Sequence, residues 1–253
     1  MNHDTSVGLL SFPKPFHSEA GRLWHYQPVN IPGVIETGCW YGAGSHGLKP
    51  HFHDEAQLTL VTSGFREFRI DDTTVCVTAG QGILIPAGMV HTPLATTDTE
   101  TSCTNLYVST DRVAASFKVF DISRDPVSAH GAFSDNILCF LSNVLSEASV
   151  RPPWNAISIA LRTALTSSDK RIGEIAAGFD RSRAGFSRQV TRELGLAPHA
   201  FRLLSRLNHA RQLLREGQSI AAVATEAGFS DQSHMTRLFR GTFGTTPGLY
   251  RRT

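Results

Sequence analysis

Polar and basic side chains recur on one face of residues 232–240, and their spacing suits contact with DNA. The apolar residues Met235, Leu238 and Phe239 lie at helical spacing, so the remaining positions of the same helix face outward. The outward side chains are Gln232, Ser233, Thr236, Arg237 and Arg240. Amide, hydroxyl and guanidinium groups form hydrogen bonds with base edges in the major groove, so we predict that this helix contacts DNA.

A second helix and a tight turn precede this segment. The preceding helix has its apolar residues at Ile220, Val223, Ala224 and Ala227. Gly228 suits the left-handed conformation that ends a helix, and Ser230 is the predicted cap of the next helix. The order of helix, turn and helix predicts a helix-turn-helix unit.

The stretch that begins at Ile220 resembles the signature segment of the AraC/XylS family of bacterial transcription regulators. The resemblance rests on an ordered series of short motifs: Ile220-Ala, Ala224-x-x-x-Gly228-Phe-Ser, Met235-x-Arg237-x-Phe239, Gly244-x-x-Pro247 and Tyr250-Arg. It implies a regulator with an N-terminal effector domain, a dimer contact, and activation through contact with RNA polymerase.

An earlier segment repeats this pattern. Gly195-Leu-Ala-Pro198 matches Gly244-Thr-Thr-Pro247 at an offset of 49 residues, whereas Ile172 matches Ile220 at an offset of 48. The first copy is therefore one residue shorter at its turn, which leaves the start of its recognition helix open. Its predicted DNA-contacting residues are Arg183, Ala184, Ser187, Arg188 and Arg192.

The two copies differ at the positions that we predict to read bases. Arg183 in the first copy corresponds to Gln232 in the second, and residues that read different bases should differ in this way. Arginine can form two hydrogen bonds with guanine. Arg188 and Arg237 are common to both copies, so they either contact bases or bind phosphate or an acidic side chain of their own domain. We expect the two units to occupy successive major grooves about 34 Å apart.

Charge divides the chain in two. Residues 151–253 contain 16 Lys and Arg against 7 Asp and Glu, and residues 1–150 contain 8 against 15. A basic C-terminal half suits phosphate contact, whereas DNA would repel the acidic N-terminal half. The two halves therefore have different functions.

The N-terminal half contains many short segments with strand character. They are predicted at residues 22–26, 34–40, 57–61, 65–70, 74–77, 82–85 and 102–108, with Gly, Pro and Asp turns between them. This spacing predicts an antiparallel barrel or sandwich. The predicted fold is therefore an N-terminal antiparallel β-barrel joined to a C-terminal all-α domain with two helix-turn-helix units.

A histidine pattern lies within the predicted strands. The sequences His51-x-His53 and Gly80-x5-Pro86-x-Gly88-x-x-His91 resemble the two conserved motifs of the cupin barrel. Metal-binding cupins add a glutamate four residues after the second histidine, where this chain has Gln57. The resemblance implies that the three imidazoles meet inside the barrel.

The histidine pattern allows two interpretations. Three imidazoles and an oxygen from Gln57 or water could hold a divalent ion, and the ligands would then be His51, His53, Gln57 and His91. In the other interpretation the same residues, together with Trp24, line an effector pocket. Because Gln57 removes the anionic ligand, we favour the effector pocket and predict neither a metal nor another cofactor.

The remaining segments suggest the following domain organisation. We predict an N-terminal arm (1–21), a cupin-like effector domain (22–110), a helical dimerisation and linker region (111–168) and a DNA-binding domain (169–253). In the linker, Phe133, Ile137, Leu141, Val144 and Leu145 form one apolar stripe. The stripe either covers the barrel or forms the homodimer contact that the family resemblance implies, and we favour the dimer.

No signal peptide or membrane-length apolar run is evident, so we expect a cytoplasmic protein without membrane contact. The four cysteines are widely separated, which fits reduced thiols better than a disulfide frame. We therefore predict a non-enzymatic, effector-controlled regulator that binds double-stranded promoter DNA, and we favour an activator over a repressor. The alternatives are a metal-dependent cupin enzyme with a helical appendage and an architectural DNA binder without an effector.

Overall fold

The computed structural model of this 253-residue chain describes residues 24–45, 47–109, 116–122, 155–167 and 170–251. Within these residues nine strands come first and seven helices follow. The predicted fold class is confirmed: an antiparallel, cupin-like β-domain precedes an all-helical domain with two helix-turn-helix units. Among the helices described, none has the length and apolar character needed to cross a membrane.

The strands form two antiparallel sheets. They are β1 (His25–Gln27), β2 (Val34–Ser45), β3 (Ala56–Ser63), β4 (Phe65–Ile70), β5 (Thr73–Thr78), β6 (Gln81–Ile85), β7 (His91–Pro93), β8 (Thr96–Val108) and β9 (Lys118–Asp121). The larger sheet has the order β1-β2-β8-β3-β6-β9, and the smaller has the order β5-β4-β7. Side chains from both sheets, including Val61 and Ile83 from one and Phe68 and Val77 from the other, share one buried core.

Strand β4 shows how the alternation of side chains sets the barrel interior. Arg66, Phe68 and Ile70 are buried, whereas Arg69 is exposed. Successive residues of a strand point to opposite faces, so an inward arginine shares its face with two apolar residues. An ionisable side chain therefore lies inside the barrel.

The strands of the structure differ from the predicted ones in several places. Strand β1 begins at His25, and residues 22 and 23 of the predicted strand lie outside the described residues. Strands β7 and β9 were not predicted, because they have only three and four residues and carry too little alternation to be recognised. Strand β7 nevertheless matters, since it carries His91.

The helices are α1 (Ala156–Thr166), α2 (Ile172–Gly178), α3 (Arg183–Leu194), α4 (Pro198–Arg215), α5 (Ile220–Glu226), α6 (Gln232–Phe243) and α7 (Pro247–Arg251). Helices α2 and α3 form the first helix-turn-helix unit, and α5 and α6 form the second. Helix α4 connects them, and α1 packs against α3 and α4. The first recognition helix, whose start the sequence left open, begins at Arg183.

The two turns differ by one residue after the left-handed position. Gly228 has φ +75° in the second turn, and Asp180 has φ +53° at the equivalent place in the first. The extra residue of the second turn is Ser230, which was predicted to cap α6. That prediction was wrong: the cap is Asp231, whose side chain accepts a hydrogen bond from the His234 N–H at 2.7 Å. Asp and Ser are both good caps, so their adjacency made the choice ambiguous.

The helical core is continuous with the barrel core. Phe186, Phe201 and Phe239 are fully buried in the helical half, and they belong to the same apolar cluster as Trp24 and Tyr107 of the barrel. Phe52 of the barrel stacks on Phe201 of α4 with ring centroids 5.0 Å apart. The two halves therefore pack against each other through apolar as well as polar contacts.

Two predicted segments lie outside the described residues. They are the N-terminal arm (1–21) and the helix with the stripe Phe133, Ile137, Leu141, Val144 and Leu145. The dimer contact and the domain boundaries therefore stay predictions.

Candidate DNA-reading face and effector pocket

The two recognition helices begin and are anchored in the same way. Ser182 caps α3 by accepting a hydrogen bond from the Gly185 N–H at 3.1 Å, as Asp231 caps α6. The inward residues are Phe186, Val190 and Leu194 in α3, and Met235, Phe239 and Phe243 in α6. Because these side chains fix the rotation of each helix, the opposite face of each one is held toward solvent.

That outward face carries the ten residues that the sequence predicts for DNA contact. Eight of them are exposed: Arg183, Ala184, Arg188, Arg192, Gln232, Ser233, Arg237 and Arg240. Ser187 and Thr236, which occupy equivalent positions in the two copies, are half-buried. The structure therefore brings five candidates together on each recognition helix.

The charges on this face are mostly uncompensated. Within the described residues, Arg183, Arg188, Arg237 and Arg240 take part in no ion pair, so no acidic partner of their own domain neutralises Arg188 or Arg237 there. Arg192 is different, since its Nη2 lies 3.2 Å from Oε1 of Glu193. Unpaired guanidinium groups on an exposed helix face provide the positive charge that phosphate contact requires.

The three histidines of the barrel form a buried cluster. The ring centroids of His51 and His91 are 4.4 Å apart, those of His51 and His53 are 4.8 Å apart, and those of His53 and His91 are 5.4 Å apart. The backbones of His51 and His91 exchange hydrogen bonds of 2.8 and 2.9 Å, which holds the two rings side by side. The cluster that the cupin motifs predict is therefore present.

Hydrogen bonds fix the proton of each ring. Nδ1 of His51 donates to the Lys49 carbonyl at 2.7 Å, and Nδ1 of His91 donates to the Met89 carbonyl at 3.0 Å. His53 is reversed, because its Nδ1 lies 2.8 Å from Nη1 of Arg211, which can only donate. The proton of neutral His53 is therefore on Nε2.

All three imidazoles are neutral near pH 7. Burial lowers the pKa of His91 to about 4. Burial, together with the neighbouring His91, holds the pKa of His51 well below its usual value. Burial and the Arg211 guanidinium do the same for His53. A neutral cluster adds hydrogen-bonding groups to the barrel without adding positive charge.

The cluster does not fit a divalent metal in this arrangement. A metal held by three imidazoles needs a lone pair from each ring, but the Nε2 of His53 carries a proton while Arg211 binds its Nδ1. The Arg211 guanidinium also places a positive charge against one of the three rings. Gln57 supplies no compensating negative charge, and its amide group donates to Oγ1 of Thr59 at 3.0 Å.

Arg211 belongs to a buried polar seam between the helical half and the barrel, formed by Arg211, Arg215 and Tyr250 with Glu36 and Glu55. Arg211 donates to Oε1 of Glu36 through Nη2, and its Nη1 lies 3.5 Å from Oε2 of Glu55. Arg215 Nη2 lies 2.7 Å from Oε1 of Glu55, and the Tyr250 hydroxyl donates to Oε2 of Glu36. Two cations thus face two carboxylates.

The charges of the seam stabilise one another. Burial alone would lower the pKa of Arg211, but Glu36, Tyr250 and Glu55 outweigh burial and raise it well above its usual value. Burial alone would raise the pKa of Glu55, but Arg211 and Arg215 outweigh it and lower that pKa. The guanidinium carbon of Arg211 also lies 4.1 Å from the ring centroid of Tyr107, at cation–π distance. Arg211 and Glu55 are therefore charged at neutral pH.

A small cavity lies in the barrel beside the histidines, and we call it the barrel cavity. It is lined by Trp24, Tyr26, Leu48, His51, Gln57, Arg66, Phe68, Pro93, Asn105 and Tyr107. Its volume is about 10 Å³, which is room for one water molecule. Of the predicted effector-binding residues, Trp24, His51 and Gln57 line it, whereas His53 and His91 do not.

One wall of the barrel cavity is also a wall of the helical half. The Trp24 N–H donates to the Gly244 carbonyl at 3.2 Å, and the Tyr26 hydroxyl donates to the Phe243 carbonyl at 3.0 Å. The Lys49 N–H donates to the Gly241 carbonyl at 3.1 Å. All three carbonyls lie at the end of α6, the second recognition helix. The wall of the barrel cavity is therefore in direct contact with the end of α6.

Sequence reasoning missed the two buried arginines, Arg66 and Arg211. A signal for Arg66 was present, because alternation along β4 places it on the face of Phe68 and Ile70. A signal for Arg211 was present too, because it shares a helical face with Leu204 and Leu207 of α4. The partners of Arg211 are more than 150 residues away in sequence, and no local pattern identifies them.

Family comparisons match both halves of the chain. Residues 40–154 match the family described as the AraC-like ligand binding domain, and residues 175–253 match the family described as the helix-turn-helix domain. The two matches correspond to the β-domain with the region that follows it and to the repeated helical units.

Two relatives differ in how much of their length is matched. The "Probable transcriptional regulator LumQ" of Photobacterium leiognathi is 22% identical over 227 residues, which cover 79% of this chain and 91% of LumQ. The "Transcriptional activator NphR" of a Rhodococcus species is 41% identical over 93 residues, which cover 35% of this chain and 26% of NphR. The higher identity, that to NphR, therefore extends over only 93 residues, which is about the length of the helical half.

Among solved structures, ToxT from Vibrio cholerae has a similar fold over both halves. The structure of ToxT with an unsaturated fatty acid bound aligns with a TM-score of 0.57 at 14% identity, and the alignment covers 90% of this chain and 93% of ToxT. A ToxT variant without ligand aligns with a TM-score of 0.59 at 12% identity. These alignments concern the arrangement of the backbone.

Proposed function

This chain belongs to the AraC/XylS family of transcription regulators, and on that premise we propose that an effector in its barrel controls how its two helix-turn-helix units bind a promoter. The single observation that carries this proposal is the direct contact between the barrel cavity and α6. Trp24 and Tyr26 line the cavity and also hydrogen-bond to the last residues of α6 and the residue after it. These contacts support a mechanism in which an effector in the cavity acts directly on α6.

We propose that each recognition helix contacts bases with residues at its N-terminal end and phosphates with residues further along. Arg183 and Gln232 stand at the exposed N-terminal ends of α3 and α6 and contact base edges. Arg240 and Arg192 lie more than two turns further on and contact phosphates. The remaining candidates, Ala184, Ser187, Arg188, Ser233, Thr236 and Arg237, complete the two faces.

Binding to double-stranded DNA tests this assignment. We expect Arg183→Ala and Gln232→Ala each to relax base preference in a different half of a native site, by about 1–3 kcal/mol of discrimination. Arg240→Ala should weaken binding to all sequences alike and reduce the salt dependence. A uniform loss of affinity in all three variants would show that the base-reading residues are misassigned.

We propose that the protein activates transcription by contacting RNA polymerase. Several relatives carry the name of activator, among them NphR and the activator RhaS of Klebsiella pneumoniae, which is 37% identical over 75 residues. Mapping of bound sites across the genome, combined with transcript levels in a deletion strain, tests this. Bound genes that rise in the deletion strain would indicate repression instead. The chromosome is the target, so we place the protein in the cytoplasm.

We propose that the protein is a homodimer, with the stripe Phe133, Ile137, Leu141, Val144 and Leu145 as an isologous contact. We also propose an effector domain at 22–110, a dimerisation region at 111–168 and a DNA-binding domain at 169–253. Leu141→Asp should convert the dimer to a monomer in sedimentation experiments. A variant that stays dimeric would remove the stripe from the interface.

A metal-dependent cupin enzyme is the competing function, and two observations disfavour it. Arg211 holds His53 in the tautomer that cannot complete a three-imidazole site, and the exposed basic faces of α3 and α6 have no role in such an enzyme. Elemental analysis decides between them. We expect less than one metal ion per chain and no effect of chelators on promoter binding, whereas stoichiometric iron, zinc or manganese would favour the enzyme.

A further inference from the structure

Arg66 is a buried cation with unsatisfied hydrogen-bonding groups. Its residue is 1% exposed, and it lines the barrel cavity. Two of its guanidinium nitrogens, Nε and Nη1, are buried and have no hydrogen-bond partner. Among the described residues it takes part in no ion pair. Its guanidinium carbon lies 5.7 Å from the centroid of the Trp24 ring.

Burying an unpaired guanidinium group lowers the stability of the folded protein. Buried charges in proteins are almost always paired, because water no longer solvates them. Arginine cannot lose its proton to escape this cost. The same chain satisfies its other buried arginine, Arg211, with two carboxylates and an imidazole. The partner of Arg66 is therefore to be sought outside the chain, in a ligand that enters the barrel cavity.

The cavity lining defines the chemistry of that ligand. Arg66 supplies the single positive charge, because the histidines beside it are neutral near pH 7. The side-chain amide of Gln57 also lines the cavity, so a neutral polar group is present beside the cation. The rest of the lining is largely aromatic, with Trp24, Tyr26 and Phe68 around the guanidinium. One planar cation in an aromatic cavity suits a monoanion with an apolar body.

We propose that the effector of this regulator is a small organic carboxylate, bound through Arg66 in the barrel cavity. The carboxylate accepts two hydrogen bonds from the guanidinium, and its apolar body packs against the aromatic side chains. This inference rests on the proposed function, because it assigns the chemical class of the effector that the proposal leaves open.

The volume of the cavity indicates how binding is transmitted. About 10 Å³ holds a water molecule but not an organic acid, so the wall must move when the acid enters. Trp24 and Leu48 form the wall that meets Gly244, where a β-carbon added to the glycine would lie 3.4 Å from Leu48 and overlap the Trp24 ring. Displacement of these two side chains therefore pushes on the end of α6, and the carboxylate alters the setting of a DNA-reading helix.

Matched pairs of acids and amides test the proposal with the full-length protein. The probes are 3-phenylpropionate with 3-phenylpropionamide, and hexanoate with hexanamide, and the measurements are calorimetric Kd and the shift of Tm. In the wild type at least one carboxylate should bind roughly tenfold or more tightly than its amide, because only the acid pairs with a cation. Arg66→Gln should bring the ratio of the two Kd values close to one.

Two further variants make the result specific. Arg69→Gln removes a positive charge from the exposed face of the same strand and should keep the wild-type ratio. Arg66→Lys keeps the charge but not the planar pair of donors, and it should retain part of the preference even if Arg66→Gln does not fold. Equal binding of every acid and amide to the wild type, or an unchanged ratio in both Arg66 variants, would overturn the proposal.

The outcome is separable from that of the proposed function. Promoter binding by a wild type that does not distinguish acids from amides would leave the regulator standing and overturn the carboxylate effector. Preference for acids without any promoter binding would do the reverse. A third measurement links the two, since a binding acid should change promoter affinity in the wild type and in Arg69→Gln but not in Arg66→Gln.

Discussion

Two buried regions of this protein contain an arginine, and they treat it in opposite ways. In the seam, Arg211 donates to Glu36, Glu55 and His53 and lies against the Tyr107 ring. In the barrel cavity, Arg66 is equally buried, at 1% exposure, but two of its nitrogens have no partner. The histidine cluster lies between them, with His53 facing the seam and His51 facing the cavity.

The difference separates a contact that holds the halves together from a site that awaits a ligand. A saturated ion network in a buried place is costly to break, because removal of one member leaves another charge uncompensated. An unpaired buried cation destabilises the protein without ligand, and binding of an anion offsets that cost. A ligand-controlled regulator needs both features. The ion network holds the two halves in one arrangement, and the unpaired cation allows a small molecule to change it.

The largest effect is expected from removal of the seam arginine. Arg211→Met leaves the buried carboxylates of Glu36 and Glu55 with one cation, Arg215, among the described residues, and it should lower the free energy of unfolding by about 3–5 kcal/mol. Urea unfolding followed by fluorescence measures this, because Trp24 and Trp40 are buried in the core. The matched control is Gln212→Ala on the exposed face of α4, which should cost less than about 0.5 kcal/mol.

A decrease in pH should weaken the region between the seam and the cavity. His91 has a folded pKa of about 4 and an unfolded value near 6.5, so the unfolded chain takes up its proton first as the pH falls. Its contribution is complete above pH 6.5 and declines progressively, to a loss of about 3 kcal/mol near pH 4. Urea unfolding at several pH values measures the slope.

Substitutions of single histidines identify the source of that slope. His91→Gln should flatten the dependence between pH 6.5 and 5, whereas His25→Gln, on the exposed side of β1, should leave it unchanged. An unaltered slope in His91→Gln would mean that other groups account for the decline.

How far the sequence predicts this structure depends on whether the information is local. The helical half is predicted almost completely, because its apolar spacing, its caps and its internal repeat all lie within short segments. The error at Ser230 arose where two capping residues are adjacent, and the uncertainty at the first turn arose because Asp180 replaces the glycine of the second. Neither affects which residues face outward.

The barrel and its contacts are predicted less well. The motifs identified His51, His53 and His91, but they did not show that Arg211 would reach His53 from 158 residues away. Two strands were too short to be recognised, and the direction of Arg66 was overlooked because an arginine in an alternating strand is normally placed outside. The residues that distinguish the seam from the cavity therefore depend on tertiary structure.

The contact between the cavity wall and α6 is tested by two equivalent glycines. Gly195 and Gly244 end α3 and α6 with φ of 73° and 71°, so alanine strains both backbones alike. A β-carbon at Gly195 would meet Val90 at an ordinary 3.5 Å, whereas one at Gly244 would overlap the Trp24 ring. Gly244→Ala should therefore cost about 1–3 kcal/mol more than Gly195→Ala in urea unfolding. Equal costs would show that the wall yields freely.

The smallest effect on stability is expected at Arg66, and it decides whether the comparison of the two arginines is correct. Arg66→Met replaces an unpaired cation with an apolar side chain of similar length beside Phe68 and Trp24. Because no hydrogen bond is lost at Nε or Nη1 and the cost of burying the charge disappears, the free energy of unfolding should stay unchanged or rise by up to about 1 kcal/mol.

The same unfolding measurement, made without any added acid, compares Arg66→Met with Arg211→Met directly. If Arg66 serves the stability of the barrel, both Met variants should lose free energy of unfolding. If Arg66 serves a ligand, only Arg211→Met should lose it. If Arg66→Met lost more than about 2 kcal/mol, the guanidinium would have to be satisfied in the ligand-free protein, and the cavity would resemble the seam. A stable Arg66→Met protein that no longer responds to carboxylates would instead establish that this arginine is retained for binding.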